Sequence, residues 1–208
     1  MIYKVKTVDN INAIDWNSVE KAHIDKYKWL EESVRFDAYA QLVYVKDWGF
    51  ICKMYCNDSA PYAVYDKFYD PVYLDSCMEF FVSFDNKNYI NVESNCKPAI
   101  LVQYGPVRDG RQCATDFLPL DEMFKVESVV DENGWTLTIE LPLDKLTAFY
   151  KDAITKETFK KGYSFRGNFY KTGDLPVANG EHYGMWNEVI SDTPNFHLPE
   201  FFGEFIID

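Results

Sequence analysis

An all-β fold, an antiparallel β-sandwich, is the class this sequence predicts, and three observations predict it. The chain of 208 residues carries 15 tyrosines and 16 phenylalanines, side chains that suit a pleated, half-buried surface better than a helix. Short stretches of alternating apolar and polar residues recur along it with turn residues between them. Only residues 143–160 hold plausible helical turns. No repeat, low-complexity tract or Pro/Gly/Ser linker interrupts the pattern, so 1–208 reads as one domain. Hydrophobic residues make up 47% of the chain, ample for a core and too many for intrinsic disorder.

Taken in order, the elements begin with an irregular N-terminal arm at 14–32. It lays Ile14, Trp16, Val19, Tyr27, Trp29 and Leu30 against the body. Strands are expected at about 33–45 and 49–57. In the second, Phe50, Cys52, Met54 and Cys56 share one face while Lys53 and Tyr55 point away. At 75–84, Met78, Phe80, Val82 and Phe84 can fill a core, and Asp75, Cys77, Glu79, Phe81 and Ser83 take the other face. In 88–95, Ile90 and Val92 oppose Asn91, Glu93 and Asn95. A strand at 99–104 follows. Those at 125–131 and 134–141 are joined by Asp131-Glu132-Asn133-Gly134, a strong hairpin turn because Asn-Gly takes positive φ readily. After the helical stretch, 163–171 sets Phe165 and Phe169 against Arg166, Asn168 and Tyr170. Strands at 183–189 and 201–207 complete the set.

Four of these strands carry unusual polar faces. If they are neighbours in one sheet, the faces merge into a surface bearing Lys53, Tyr55, Glu79, Asn91, Glu93, Asn95, Arg166, Asn168 and Tyr170. Antiparallel sheets routinely solvate one face, but commonly with residues such as Thr136, Thr138 and Glu140. Amides, an arginine, tyrosines and carboxylates together are richer in planar hydrogen-bonding groups. Ahead of the 75–84 strand, Tyr69-Asp70-Pro71-Val72-Tyr73 adds two rings. Sugars present C–H bonds to aromatic faces and hydroxyls to planar polar groups, so this pattern is one that can hold a sugar.

A net charge of −12 without any Lys/Arg cluster repels phosphate backbones and anionic membranes. Neither nucleic acid nor a membrane is therefore an expected partner. No window approaches the ~18 apolar residues of a membrane helix. Met1-Ile2-Tyr3-Lys4-Val5-Lys6 lacks the apolar run of a signal peptide, which makes the cytoplasm the expected compartment, or an exported state if the N-terminus has been trimmed. The five cysteines are odd in number and include no CxxC pair, so reduced, packed thiols are expected.

The ordered set Asp75-Ser76-Cys77-Met78-Glu79-Phe80-Phe81, Tyr89-Ile90-Asn91-Val92-Glu93-Ser94-Asn95-Cys96, Trp135-Thr136-Leu137-Thr138-Ile139-Glu140-Leu141-Pro142, Arg166-Gly167-Asn168-Phe169-Tyr170-Lys171, His182-Tyr183-Gly184-Met185-Trp186-Asn187 and Pro194-Asn195-Phe196-His197-Leu198-Pro199-Glu200-Phe201-Phe202-Gly203 resembles the carbohydrate-binding module family 9-like domains. The resemblance runs from about residue 30 to the end. It implies a β-sandwich of the DOMON-like class that binds sugars without cleaving them, in carbohydrate catabolism. Members of that family grip terminal sugar units between two aromatic rings and carry structural calcium. One ring lies six residues before a sugar-binding glutamate, the relation of Tyr73 to Glu79, with tyrosine here in place of tryptophan. The other is a late tryptophan, which Trp186 matches.

The candidate sugar-binding residues are thus Tyr73 and Trp186 as platforms, with Tyr69 the natural competitor of Tyr73. Glu79 can accept hydroxyls, Arg166 can fork onto ring oxygens, and Asn168 offers a donor and an acceptor. His182 is expected to line the pocket, and Arg111, with Arg108, to reach its rim. The expected ligand is a mono- or oligosaccharide, and the protein a monomer or weak dimer, with no catalytic residue. Two rivals stand beside this reading. One is a glycoside hydrolase using Glu79 and Glu93; the other is a DOMON-type haem binder using His182 or His197 with Met185 or Met54. Asp70, Asp75, Asp85 and Asp131 lie near turns without EF-hand spacing, so calcium rests on the resemblance alone.

Overall fold

The computed structural model describes residues 1–31, 33–174 and 180–208. Among them, the strands in chain order are β1 (Ile2–Val8), β2 (Ala22–His23), β3 (Lys26–Tyr27), β4 (Ala38–Val45), β5 (Gly49–Cys56), β6 (Cys77–Ser83), β7 (Tyr89–Asn95), β8 (Ile100–Gly105), β9 (Gln112–Cys113), β10 (Lys125–Asp131), β11 (Gly134–Pro142), β12 (Ser164–Gly173), β13 (His182–Met185) and β14 (Gly203–Ile207). One α-helix, α1 (Leu143–Tyr150), and several 3-10 turns complete the secondary structure. The first layer runs β14-β12-β6-β7-β8-β9, with β13 beside β12, and the second runs β10-β11-β5-β4. This is an all-β sandwich, as expected.

One departure concerns the N-terminus. β1 was not foreseen as a strand, and both of its pairings are parallel, so the sandwich is mixed rather than purely antiparallel. Ile2 to Val5 pairs with β14 of the first layer, and Lys6 to Val8 pairs with β4 of the second. A strand that switches sheets makes a corner between them. Tyr3 and Val5 are buried there while Ile2 and Lys4 are exposed, the alternation that a half-buried strand requires.

Alternation also sorts the core. Met78, Phe80, Val82 and Phe84 meet Leu42, Tyr44, Phe50, Cys52, Met54, Leu137 and Ile139 from the facing layer, all of them buried. Each such side chain contributes about 1.5–3 kcal/mol on leaving water. Rings interlock between elements: Phe80 stacks on Phe169 at 4.8 Å between centroids, and Phe165 on Phe205 at 5.3 Å. Helix α1 buries Leu143, Leu146, Phe149 and Tyr150, one stripe at helical spacing. The 131–134 hairpin forms as expected, with Gly134 at φ 149°. A Cβ there would lie 2.1 Å from the Cys56 carbonyl oxygen, so only glycine fits.

The outer face of the first layer is covered rather than solvated. Phe81, Tyr89, Tyr170, Tyr183 and Met185 pack under Val189, Phe196 and Phe202 as a second apolar cluster. The merged polar surface is divided, because β5 belongs to the other layer. There Lys53 lies 5.4 Å from the Trp16 ring, and Tyr55 pairs with Tyr39 at 5.2 Å. All five cysteines are free thiols. Among the described residues no helix is long and apolar enough to cross a membrane.

Candidate functional site

Strand register builds the floor of the site. Tyr170, Glu79, Glu93 and Leu101 lie directly opposite one another across β12, β6, β7 and β8, on the face turned away from the core. The segment before β6 brings Tyr69 and Tyr73 over this row, and the β8–β9 loop brings Arg108 and Arg111. Asp174, Tyr183, Phe196 and His197 close the remaining sides, around a cavity of about 540 Å³. That volume lies inside the roughly 300–1,000 Å³ typical of small-molecule sites.

Asp75 holds the overhanging loop in place. Its carboxylate accepts from the backbone N–H of Val64 and of Tyr65, both at 3.1 Å, and from Asn95 Nδ2 at 2.7 Å. Tyr69 sits at φ 68°, a conformation that bulky residues rarely adopt. Its N–H donates to the Ile100 carbonyl at 2.8 Å, and its hydroxyl accepts from Gln103 Nε2 at 2.8 Å. The rings of Tyr69 and Tyr73 remain 43% and 38% exposed.

Beneath these rings the two glutamates are nearly shut from water, each 3% exposed. Among the described residues Glu79 makes no hydrogen bond, although it faces the cavity. Burial, then the charges of Glu93 and Asp174, push its carboxyl well above the usual range; Lys171 and Arg111 oppose the shift. Burial pushes Glu93 up to about 7, against the pull of Arg111 and a hydrogen bond from Asn91, whose Nδ2 donates at 3.0 Å. Arg111 Nη1 donates to Asn91 Oδ1 at 3.3 Å and to the Tyr89 hydroxyl at 3.4 Å, and it meets the His197 ring. Its Nε is buried without a partner. Burial and the neighbouring arginines drive His197 down to about 2, so that ring is neutral.

Tyr69, Tyr73, Glu79 and Arg111 thus come together, and four other candidates do not. Trp186 is 3% exposed and packs in the sandwich core against Tyr3, Phe169 and Phe205. It cannot face Tyr73 across the cavity. Asn168 spends its amide on the backbone of Asn187, donating at 2.8 Å and accepting at 2.9 Å. Arg166 donates to the carbonyls of Glu200 and Phe202 at 3.0 and 2.7 Å, anchoring the covering segment. His182 is buried on the core side, its Nε2 2.7 Å from Lys171 Nζ and its Nδ1 2.8 Å from the Gly180 carbonyl.

Asn168 and Arg166 misled because the outer face is roofed by protein and their polar groups serve the roof, whereas Trp186 and His182 turn to the core side. Of the cavity residues that sequence reasoning missed, Asp174, Asn195 and Phe196 lie outside the strands, where no periodicity marks them, while Gln103 and Tyr183 lie within β8 and β13. Both histidines proposed as haem ligands have their ring nitrogens engaged by protein groups.

Calcium is implied by the resemblance alone. Among the described residues no three His, Cys, Asp or Glu gather as a metal site. Asp70, Asp85 and Asp131 accept from backbone N–H groups in their own turns, and Asp75 accepts from those of Val64 and Tyr65.

The site also fixes the pH response of stability. Histidines held below their usual pKa stabilise the fold above pH 6.5, and this contribution is lost as pH falls; His182 is lowered to about 3, mainly by burial and by Lys171. Carboxyls held above theirs act oppositely: their contribution is complete below about 4.5 and is lost as pH rises, through about 7 for Glu93. The opposing slopes, about 1.4 kcal/mol per pH unit for each proton, offset one another between roughly 4.5 and 6.5. Above 6.5 only the carboxyl limb remains. The thermal midpoint is therefore expected to stay level between about pH 4.5 and 6.5 and to fall toward pH 8, and Glu93→Gln should flatten the fall. A midpoint still rising to pH 8 would refute this.

Three comparisons bear on these residues. Residues 8–207 match the family model described as carbohydrate-binding family 9. A protein from Bacteroides uniformis ATCC 8492, provisionally described as carbohydrate-binding, shares the fold at TM-score 0.82 and 24% identity, over 100% of this chain and 99% of that one. A family 9 module from Caldicellulosiruptor kristjanssonii in complex with cellotriose matches at TM-score 0.67 and 14% identity, over 100% of this chain and 93% of its own. The same organism's module in complex with glucose matches at TM-score 0.69 and 14% identity, over 100% and 96%. At these identities the likeness is one of fold. No curated protein matches the sequence.

Proposed function

This chain belongs to carbohydrate-binding family 9, and from that premise we propose that the cavity above Glu79 holds one end of a mono- or oligosaccharide without cleaving it. One observation carries the reading: among the described residues Glu79 faces the cavity with no hydrogen-bonding partner, and Arg111, which also lines it, keeps a buried Nε unpaired. Buried polar groups left unpaired are costly, so a ligand that supplies both a donor and an acceptor is strongly favoured there. Sugar hydroxyls supply both. The exposed rings of Tyr73 and Tyr69 offer the apolar platforms that sugar C–H bonds require. Complexes of similar folds with cellotriose and glucose support the same reading. Its place is in carbohydrate catabolism, holding saccharide ends for other proteins that cleave or carry them.

Calorimetric titration with glucose, xylose and cello-oligosaccharides tests the assignment. Tyr73→Ala is expected to weaken binding up to about tenfold, given about 0.5–1.5 kcal/mol for a stacked ring. Trp186→Phe should lower the thermal midpoint while affinity stays within twofold. Absence of heat across the panel, or a Tyr73→Ala protein that binds as well as the parent, would sink the reading.

A second reading, glycosidic cleavage, rests on Glu79 and Glu93 standing opposite in register. A reducing-end assay on oligosaccharides decides it. New reducing ends that disappear in Glu93→Gln would replace the binding assignment.

A further inference from the structure

Charge is unevenly spread across the cavity. In sheet order, Asp174 stands just beyond the end of β12, Glu79 on β6 and Glu93 on β7, while both arginines rise from the loop between β8 and β9. Glu93 is linked to its countercharge through Asn91, which accepts from Arg111 at 3.3 Å and donates to Glu93 at 3.0 Å. At the opposite end Arg108 is the cavity cation that draws the Asp174 carboxyl down, and Glu79 has no hydrogen-bonded countercharge among the described residues. The ammonium of Lys171 lies on the core side of the sheet, bonded to Ser76 Oγ, the Thr172 carbonyl and His182. Asp174 is held only loosely, by the Tyr183 hydroxyl and by a long 3.4 Å contact from Thr172 Oγ1. The half-buried Glu181 adds a further carboxylate at this end, accepting from the Tyr183 hydroxyl at 2.6 Å.

We propose that the Glu79–Asp174 end of the cavity is a subsite for a protonated amine, so that the preferred ligand is an amino sugar rather than a neutral hexose. The proposal rests on the saccharide reading above and narrows it. An ammonium brings three donors where a hydroxyl brings one, and its hydrogen bonds to carboxylates are roughly twice as strong as neutral ones. Glu79 is 3% exposed and has no hydrogen-bonding partner among the described residues, so a cation placed there offsets the cost of ionising it. Burial raises both Glu79 and Asp174 in the free protein, helped by the charges of Glu93 and Asp174 at the first and of Glu181 at the second, the state that a bound cation would reverse.

Calorimetric titration of the whole protein at pH 7 and low salt with glucose, glucosamine and N-acetylglucosamine tests the subsite. Glucosamine is expected to bind at least tenfold more tightly than glucose, about 1.4 kcal/mol. N-acetylation, which removes the charge, should erase the gain, and Asp174→Asn should bring the glucosamine-to-glucose ratio toward one. Glucosamine binding no tighter than glucose overturns the amine subsite and leaves the saccharide reading standing. A preference that survives Asp174→Asn overturns the assignment to these two carboxylates. Failure of all three sugars and of the cello-oligosaccharides overturns both.

Discussion

Glu79→Met is expected to weaken saccharide binding by about two orders of magnitude while raising the midpoint of thermal unfolding at pH 7.5. The two effects have one cause. Glu79 is 3% exposed and opposes Glu93 directly across the strand pair, so in the free protein it is a carboxyl held against its own solvation and a like charge. An apolar side chain of similar length removes that cost, and replacing buried ionic groups in this way commonly stabilises a fold by about 1–4 kcal/mol. A ligand, by contrast, loses a carboxylate acceptor for two hydroxyls. Each charge-assisted hydrogen bond is worth roughly 1.5–3 kcal/mol, and about 1.4 kcal/mol is tenfold in affinity. Paired calorimetry checks both readouts. If Glu79→Met lowered the midpoint, the carboxyl would be a structural group and not a binding one.

Lys171 carries the second large effect, with the opposite sign for stability. Its side chain is fully buried, with Nζ 3.0 Å from Ser76 Oγ, 3.0 Å from the Thr172 carbonyl and 2.7 Å from His182 Nε2. Ser76 Oγ in turn donates to Asp58 Oδ2 at 3.1 Å. The ammonium also lies 5.1 Å from the Phe36 ring. Because the ammonium can only donate, His182 accepts at Nε2 and donates from Nδ1 to Gly180, which fixes its tautomer. Lys171→Ala strips the network of its cation and leaves a void, an expected loss of about 3–5 kcal/mol. Lys171→Met should cost less, because the stem's volume is kept. Urea denaturation at pH 7 measures the difference. An alanine variant within 1 kcal/mol of the parent would show that the network holds nothing together.

Much of this was legible in the sequence, and the failures have physical causes. Period-two alternation placed Met78, Phe80 and Val82 in the core and Glu79 and Glu93 on the other face, because parity along a strand is a local property. Which sheet a strand joins is not local. The alternation of Lys53 and Tyr55 was read correctly, yet β5 lies in the opposite layer. Trp186 has Asn187 and Glu188 beside it, which suggests a wet loop. Its ring turns inward because Gly203 leaves room, and a Cβ at that glycine would come within 2.4 Å of the indole. Lys171 shares its strand face with Phe165 and Phe169, but nothing local announces that Ser76 and His182 will close around its ammonium. Asp174, Phe196 and His197 reach the cavity from segments with no period at all.

β1 carries a consequence for how the molecule assembles. Its residues Ile2 to Val5 take their partners from Glu204 to Ile207, so the first strand finds its neighbour only when nearly the whole chain is present. Contacts this distant in sequence slow folding, because the entropy of closing the loop is lost before the contact rewards it. On the ribosome, the opening strand must wait for the closing one. Until then, Tyr3 and Val5 lack their sheet partners, and only the β4 half of the seam between the two layers can form.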